Sequence, residues 1–412
     1  MLRRWNPPLY CRTLALFALL LSAWTITAQP ITKDQKTSVL TALSEIVTTK
    51  VFVPGVDFSK WPEFIAKQQD SIDKAEEIPA FTSAVNRALR EFGLSHIRLA
   101  TPRSTSMRGK TTAIGPGMAV QKEEAGLKVR TVADTGPAKE AGIQPGDVIS
   151  KIDGKPVSGP ESLEGEKGTK VEVEIKKATG ETKTVTIERK EYSTVRVETL
   201  TWPNPETAVL RVYTFSAGYS RPNIEKLIGE AAKAKNLILD LRSNGGGAAN
   251  NLNHLLSLLL PDGTTYGTFV SRTIARKFED EAKGDPKDVF AIAKWTDSKT
   301  KTRKRTVEPF AGKIAVLINR GSASASEICA SALRENAHAV LVGAKSAGAV
   351  LASVYGRLPE GFSIQYPVSD YISVKGVRLE KNPLIPDAEV TAPKEGDKDP
   401  VVEKAIELLK AK

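Results

Sequence analysis

Ile314-Ala315-Val316-Leu317-Ile318 is followed closely by Gly321-Ser322-Ala323-Ser324-Ala325-Ser326-Glu327, and then by Ile328-Cys329-Ala330-Ser331-Ala332-Leu333. The first run is short and apolar, the pattern of a buried strand. The last reads as a helix, so the hydroxyl-rich string between them is a strand-to-helix turn. A serine at such a turn is exposed beside the orphan N–H groups at the positive end of the helix. Those N–H groups can hold an oxyanion, which makes Ser324 a candidate nucleophile. A plainer reading exists: Ser324 and Glu327 form an S-x-x-E capping box by themselves. Taken alone, the string favours the cap, and the rest of the chain has to decide.

Strands and helices alternate on both sides of this turn. Val209-Leu210-Arg211-Val212-Tyr213 reads as a strand and Pro222 to Lys235 as a helix. Asn236 to Leu241 is a buried strand, Leu252 to Leu260 a helix and Thr265 to Arg272 a strand. Such alternation predicts an α/β core. Residues 276–309 are rich in charge and read as a surface insertion or lid. Asp240-Leu241-Arg242-Ser243-Asn244-Gly245-Gly246-Gly247 follows a buried strand and opens a helix. Consecutive glycines let the backbone approach a ligand and aim N–H groups at it. The run lacks G-x-x-x-x-G-K-[ST], which argues against a nucleotide phosphate loop. An oxyanion donor fits better, and a turn needing positive φ is the plainer alternative.

The chain has 412 residues and a formal charge of +11, with 41% hydrophobic and 26% charged residues. That is enough for two or three domains. The lysines are scattered among glutamates without a basic, aromatic-interleaved stripe, which argues against nucleic acid and leaves a mild attraction to anionic surfaces. Arg3, Arg4 and Arg12, the apolar run Leu14 to Leu21, and Thr27-Ala28 before Gln29 give residues 1–28 the pattern of a secretory signal, with an uncleaved anchor as the alternative. The expected location is therefore periplasmic or secreted. The two cysteines are Cys11 and Cys329. Without Cys11 no internal disulfide is available, and Cys329 reads as a small core residue. No H-E-x-x-H or Cys/His spacing suggests a metal, and no cofactor is expected.

Residues 29–103 are expected to be helical, with one helix around Thr37 to Val47 and another from Pro79 to Phe92 that stops at Gly93. His96 follows in the strand-like stretch Leu94 to Leu99. The other histidines, His254 and His338, read as structural or surface residues. Residues 104–110 are basic and hydroxyl-rich and read as a linker.

Next come Gly136-Pro137-Ala138-Lys139-Glu140-Ala141-Gly142-Ile143-Gln144-Pro145-Gly146-Asp147-Val148-Ile149 and Ile152-Asp153-Gly154-Lys155-Pro156-Val157. With Ile114 to Val120 before them and alternating strands from Lys170 to Glu188 after, residues 104–192 resemble a PDZ domain. The resemblance implies that Gly115, Pro116, Gly117 and Met118 form the loop receiving a peptide carboxylate. A free sheet edge beside that loop would add the peptide as a strand. The plainer reading is a module that only braces the core.

The order of PDZ-like module, D-L-R-x-N-G-G-G, N-R-G-S-A-S-A-S-E-I and a following V-G resembles the C-terminal processing (tail-specific) serine proteases over roughly residues 30–410. The resemblance implies a crotonase-like (ClpP-like) spiral α/β protease core at 193–412, with the PDZ domain inserted after the N-terminal helical region. It implies Ser324 as nucleophile, and backbone N–H groups at Gly245 or Gly246 and at Ala325 as the oxyanion hole. That family has a lysine in a G-K-G element after the V-G, where this chain has Ala349. A methyl group accepts no proton. Lys345 lies nearby and would have to reach the site from another point and lose its proton by desolvation.

The tricorn-type branch resembles the chain more closely here. It looks to use Ser, His and Glu, with histidine in L-G-x-S-H ahead of the PDZ-like module and glutamate ahead of G-x-x-P-D. Phe92-Gly93-Leu94-Ser95-His96 and Gly376-Val377-Arg378-Leu379-Glu380 fit, although Pro383 stands where a glycine is usual. This resemblance implies His96 as general base, Glu380 as its orienter and Ser95 as a supporting hydroxyl. The expected activity is hydrolysis of peptide bonds in protein substrates, with their C-terminal tails as partners. A catalytically inactive peptide-binding pseudo-protease and a Ser–Lys enzyme using Lys345 are the alternatives. A cytoplasmic crotonase acting on acyl thioesters is disfavoured by the signal and the PDZ-like module.

Overall fold

Strands buried on both faces read as unbroken apolar runs rather than alternating ones. Strands Asn236–Asp240 and Lys313–Ile318 hold such runs, at 237–239 and 314–318, in the computed structural model, which describes residues 30–157, 159–177, 179–390 and 398–411. They lie parallel at the centre of a six-stranded sheet. The strand order is Thr199–Asn204, Thr207–Arg211, Asn236–Asp240, Lys313–Ile318, Val340–Gly343 and Ala388–Glu389. The first pair is antiparallel and the other pairs are parallel.

Alternate residues of the central strands serve opposite layers. Leu237, Leu239, Ile314 and Val316 pack with Ile224, Leu252 and Ile328 from three helices on one face. Ile238, Ala315 and Leu317 pack with Val401, Ala405 and Leu409 of helix Pro400–Ala411 on the other. Burying each large aliphatic side chain contributes about 1.5–3 kcal/mol. The parallel strands end together, and their C-terminal ends carry Val212 to Phe215, the glycine loop, Asn319 to Ser324, and the loop after Gly343. In open α/β sheets that edge is where ligands bind.

A second, five-stranded antiparallel sheet is built on the long strand Ser363–Ser373. It pairs with Arg98–Ala100, Leu351–Arg357 and Thr265–Ser271. Helices Lys33–Thr49 and Ile78–Arg90 bury Val39, Leu43, Phe81 and Leu89 in one cluster with Leu351, Phe362 and Ile364 of this sheet. The N-terminal helices thus share a core with residues more than 250 positions away.

Two expectations from the sequence change. The stretch read as a linker contains helix Pro102–Met107, capped by the Thr101 side chain accepting from the Ser104 N–H. The charged 276–309 stretch is only half surface. Helices Arg272–Ala282 and Val289–Trp295 bury Ala275, Phe278, Val289 and Ile292 against Val270 and Ile372 of the second sheet.

The PDZ-like module has its own six-stranded sheet and its own core around Leu127, Ile149, Val171, Val173 and Ile175. Strand Met118–Glu123 is its edge. The loop before it is fixed by backbone bonds from Ala133 N–H to Gly117 O (2.8 Å) and from Ala138 N–H to Pro116 O (2.7 Å). Gly117, at φ 77°, lies so close to Gly136 that a Cβ would come within 2.6 Å of its Cα. The predicted leader, residues 1–28, lies outside the described residues. Among the described residues no helix is long and apolar enough to cross a membrane.

Candidate active site

Ser324 follows the strand Lys313–Ile318 and heads helix Ala325–Ala337, as the sequence pattern requires. Its backbone is in a strained region, φ 57° and ψ −119°. Strain of this kind costs of order 1–3 kcal/mol and persists only where surroundings impose it. Glu327 is the main restraint. Its carboxylate is fully buried and accepts from the Ser324 N–H (3.1 Å), the Ala349 N–H (3.0 Å), the Gly348 N–H (2.7 Å) and the Ser346 hydroxyl (2.5 Å). Burial pushes this carboxyl above its usual value, and the four donors oppose that shift. Glu327, read in sequence as a local cap, therefore also ties the nucleophile turn to the 346–349 loop.

That loop passes between Ser324 and the histidine cluster. The Ala349 carbonyl accepts the Ser324 N–H (2.9 Å), and the next residue, Val350, donates its N–H to Glu380 Oε2 (2.9 Å). Glu380 is almost fully buried and also accepts from the Ser95 N–H at Oε1 (2.8 Å) and the Ser95 hydroxyl at Oε2 (2.7 Å). Ser95 Oγ is 2.7 Å from His96 Nδ1. With the hydroxyl proton donated to Glu380, Ser95 Oγ is left to accept from Nδ1–H, the tautomer that leaves Nε2 as a free base. Ser95 thus stands between His96 and the carboxylate as a bridge. His96 itself has φ 57°, a second strained residue in the cluster. Burial pushes its ring below the ordinary histidine value; Glu380 opposes this and Arg98 adds to it.

The segment carrying Glu380 is also anchored. Arg378 Nε donates to the fully buried Asp370 (2.8 Å), and the Lys381 N–H donates to Gly348 O (2.8 Å). Pro383, the departure from the usual glycine, packs on Gly348, where a Cβ would lie 3.0 Å from Pro383 Cδ, so the missing side chain leaves its space.

Asn244 organises the glycine loop. It is fully buried; its amide donates to Val212 O (2.9 Å), and its Oδ1 accepts the Gly246 N–H (3.0 Å). Its backbone carbonyl accepts the Ala323 N–H (3.1 Å) and the Ser326 hydroxyl (2.8 Å), so it fastens the glycine loop to the nucleophile turn. Gly246, at φ 90°, abuts Ser324: a Cβ there would lie 2.7 Å from Ala323 O, 2.8 Å from Ser324 Cβ and 2.9 Å from Ala325 N. The Gly246 N–H is thus engaged by Asn244. The N–H groups of Gly245 and Ala325 have no hydrogen-bond partner among the described residues. A Cβ on Gly245 would meet nothing. Gly246→Ala is therefore expected to lower kcat about 10²–10³-fold, while Gly245→Ala stays within about threefold of the parent. Steady-state peptide hydrolysis by the two variants checks the contrast.

Lys345 is exposed on the loop, while its neighbour Ser346 is buried against Glu327. Of the other histidines, His254 is buried between the Tyr219 hydroxyl (2.9 Å) and Glu225 (3.0 Å), and His338 ends the nucleophile helix at φ 52°. Cys329 is free and buried. Asn244 and Ser346 are the site residues that sequence reading did not single out, and Glu327 was read only as a local cap. The contacts that join them across loops are long-range, and of the first two only Asn244 lies in a quoted motif.

Residues 206–390 match peptidase family S41, and residues 115–199 match the PDZ domain. The carboxy-terminal processing protease CtpA of Bacillus subtilis (strain 168) is 27% identical over 320 residues, covering 72% of this chain and 63% of that protein. The chloroplastic carboxyl-terminal-processing peptidase 2 of Arabidopsis thaliana is 29% identical over 298 residues, 68% of this chain and 53% of that protein. The chain spans about half the length of the first curated relatives it matches. Among solved structures, the photosystem II D1 C-terminal processing protease superposes with a TM-score of 0.50 at 23% identity, over 88% of this chain and 94% of that one. The tricorn protease gives 0.54 at 15% identity, over 92% of this chain and 37% of that one. These two likenesses speak for the fold alone. The sequence matches and the arrangement around Ser324 agree: residues 206–390 are similar to peptidase family S41, with a region similar to the PDZ domain, residues 115–199, beginning ahead of them.

Proposed function

We propose that this protein is a serine endopeptidase that cuts protein substrates through Ser324, His96, Ser95 and Glu380, without a Ser–Lys dyad. The observation that carries the reading is the Glu380–Ser95–His96 hydrogen-bond chain, joined to the Ser324 turn through Ala349 and Val350. His96 takes the Ser324 proton as Oγ attacks the peptide carbonyl. The Ala325 N–H and the N–H of Gly245, or of Gly246 sharing its proton with Asn244, hold the oxyanion. His96 returns the proton to the leaving amine, and water then hydrolyses the acyl-enzyme. Ser95 and Glu380 hold the ring and stabilise its protonated form. Exposure of Lys345 and replacement of the family lysine by Ala349 both weigh against a lysine base.

The same reading assigns 29–103 to a histidine-bearing region, 104–192 to a PDZ domain and 193–412 to the protease core, with a crotonase-like spiral as its fold type. Substrate tails would add to edge strand Met118–Glu123, their carboxylates meeting the loop Gly115, Pro116, Gly117 and Met118. Export to the periplasm or outside fits the leader pattern. Mature protein mixed with an unstructured protein substrate should release fragments with a Ser324-dependent rate. A pure binder would retain the substrate intact.

The base must be neutral to act, and burial holds the His96 value low. The acid limb of kcat/KM is therefore expected below pH 6.5, the ordinary histidine value, with activity lost only as pH falls through that lower value. Arg98→Ala removes a cation that disfavours imidazolium, so it should move this limb upward in pH. A pH–rate profile of the two proteins decides the direction.

A further inference from the structure

Charge and exposed apolar surface come together at one place outside the site. Residues 294–305 hold Lys294, Lys299, Lys301, Arg303, Lys304 and Arg305 against the single acid Asp297, a net of +5 within a chain of +11. None of these six cations forms an ion pair among the described residues, and neither does Lys375. Nine large apolar side chains are exposed among the described residues, and three of them are here: Phe290 (52%), Val374 (45%) and Val377 (45%). Phe290 and Lys294 are one turn apart on helix Val289–Trp295, and they line one cleft with Val374, Lys299 and Lys375. Val377 closes the same turn, its carbonyl accepting the Ser373 N–H (2.9 Å). The basic run continues from this cleft along strand Thr300–Lys301 to the exposed Arg303 and Lys304.

We propose that this face docks on an anionic lipid bilayer. Phe290, Val374 and Val377 would enter the headgroup boundary, and the lysines and Arg303 would meet lipid phosphates. Charge complementarity selects this occupant: an apolar protein partner would not call for unpaired cations around its contact residues, whereas aromatic and aliphatic tips ringed by lysine stems suit a bilayer interface. The docking does not depend on the peptidase reading.

The test is co-sedimentation with sucrose-loaded vesicles, using the chain from Gln29, which holds every described residue. Phosphatidylcholine vesicles containing phosphatidylglycerol should bind the protein, pure phosphatidylcholine should not, and high salt should release it. Reversing Lys294, Lys304 and Lys375 to glutamate should lower the partition coefficient on the order of 100-fold or more, from about fivefold lost for each lysine charge removed at the surface. Phe290→Ser should lower it severalfold without changing the melting temperature. Equal binding to both vesicle types, no binding to either, or undiminished binding of the lysine variant would overturn the proposal. So would displacement from anionic vesicles by a soluble acidic peptide at matched charge, which would assign the face to a protein partner.

Discussion

His96→Ala is expected to lower kcat/KM for peptide hydrolysis by about 10⁴–10⁶-fold, close to the loss from Ser324→Ala, while the double variant loses little more. The reason is that nucleophile and base act as one unit: without a proton acceptor the Ser324 hydroxyl is a weak nucleophile, and without the hydroxyl the imidazole has nothing to activate. Lys345→Ala should remain within about twofold of the parent, because the side chain is exposed and away from the buried Glu327 contacts of its own loop. Ala349→Lys is the sharper comparison. Ala349 bonds through its backbone to Ser324 and Glu327, so a longer side chain need not disturb either bond. Restoring a lysine there should not rescue His96→Ala unless that amine is also desolvated enough to be neutral. Steady-state kinetics on one peptide substrate, with circular dichroism to confirm folding, checks the set.

The second large effect is expected at Glu380. Glu380→Gln should lower kcat about 10²–10⁴-fold with a smaller change in KM, because an amide can present a donor to Ser95 where the carboxylate only accepts, and it stabilises imidazolium less. Glu380→Ala should do at least as much damage and also destabilise the fold. It would orphan the Ser95 and Val350 N–H groups, of which Val350 is buried, at roughly 1–3 kcal/mol for each buried donor left unpaired. Ser95→Ala should fall between the parent and Glu380→Gln, since it breaks the bridge to His96 and leaves the carboxylate in place. A Ser95 role confined to structure would lower stability without moving the acid limb of the pH profile, and that limb is the readout to follow.

Local patterns carried much of this architecture. The apolar runs at 237–239 and 314–318 are readable as buried strands because no polar residue interrupts them, and they are the centre of the main sheet. The PDZ-like module was readable from its punctuation by glycine and proline. The Thr101 cap and Pro102 at the first helical turn were available signals for the helix that was read as a linker. Other features were beyond a one-dimensional reading. Glu327 sits three residues from Ser324, so its capping role is local, but its bonds to Ser346, Gly348 and Ala349 depend on how the next strand returns. The exposure of Lys345 and the burial of Ser346 follow from the same loop and have no pattern in sequence. Nor does the choice between Gly245 and Gly246, which turns on the side chain of Asn244 taking one N–H. His254 illustrates the converse: a histidine in an apolar helix has its partners, Tyr219 and Glu225, on a different helix and the loop before it.

The most direct test of the central claim is fluorophosphonate labelling of the mature protein beside Ser324→Ala, His96→Ala and Lys345→Ala. A Ser–His–Glu peptidase labels in the wild type and in Lys345→Ala, and loses labelling in the other two. Labelling that survives His96→Ala and disappears in Lys345→Ala would contradict the account and move the base to the lysine.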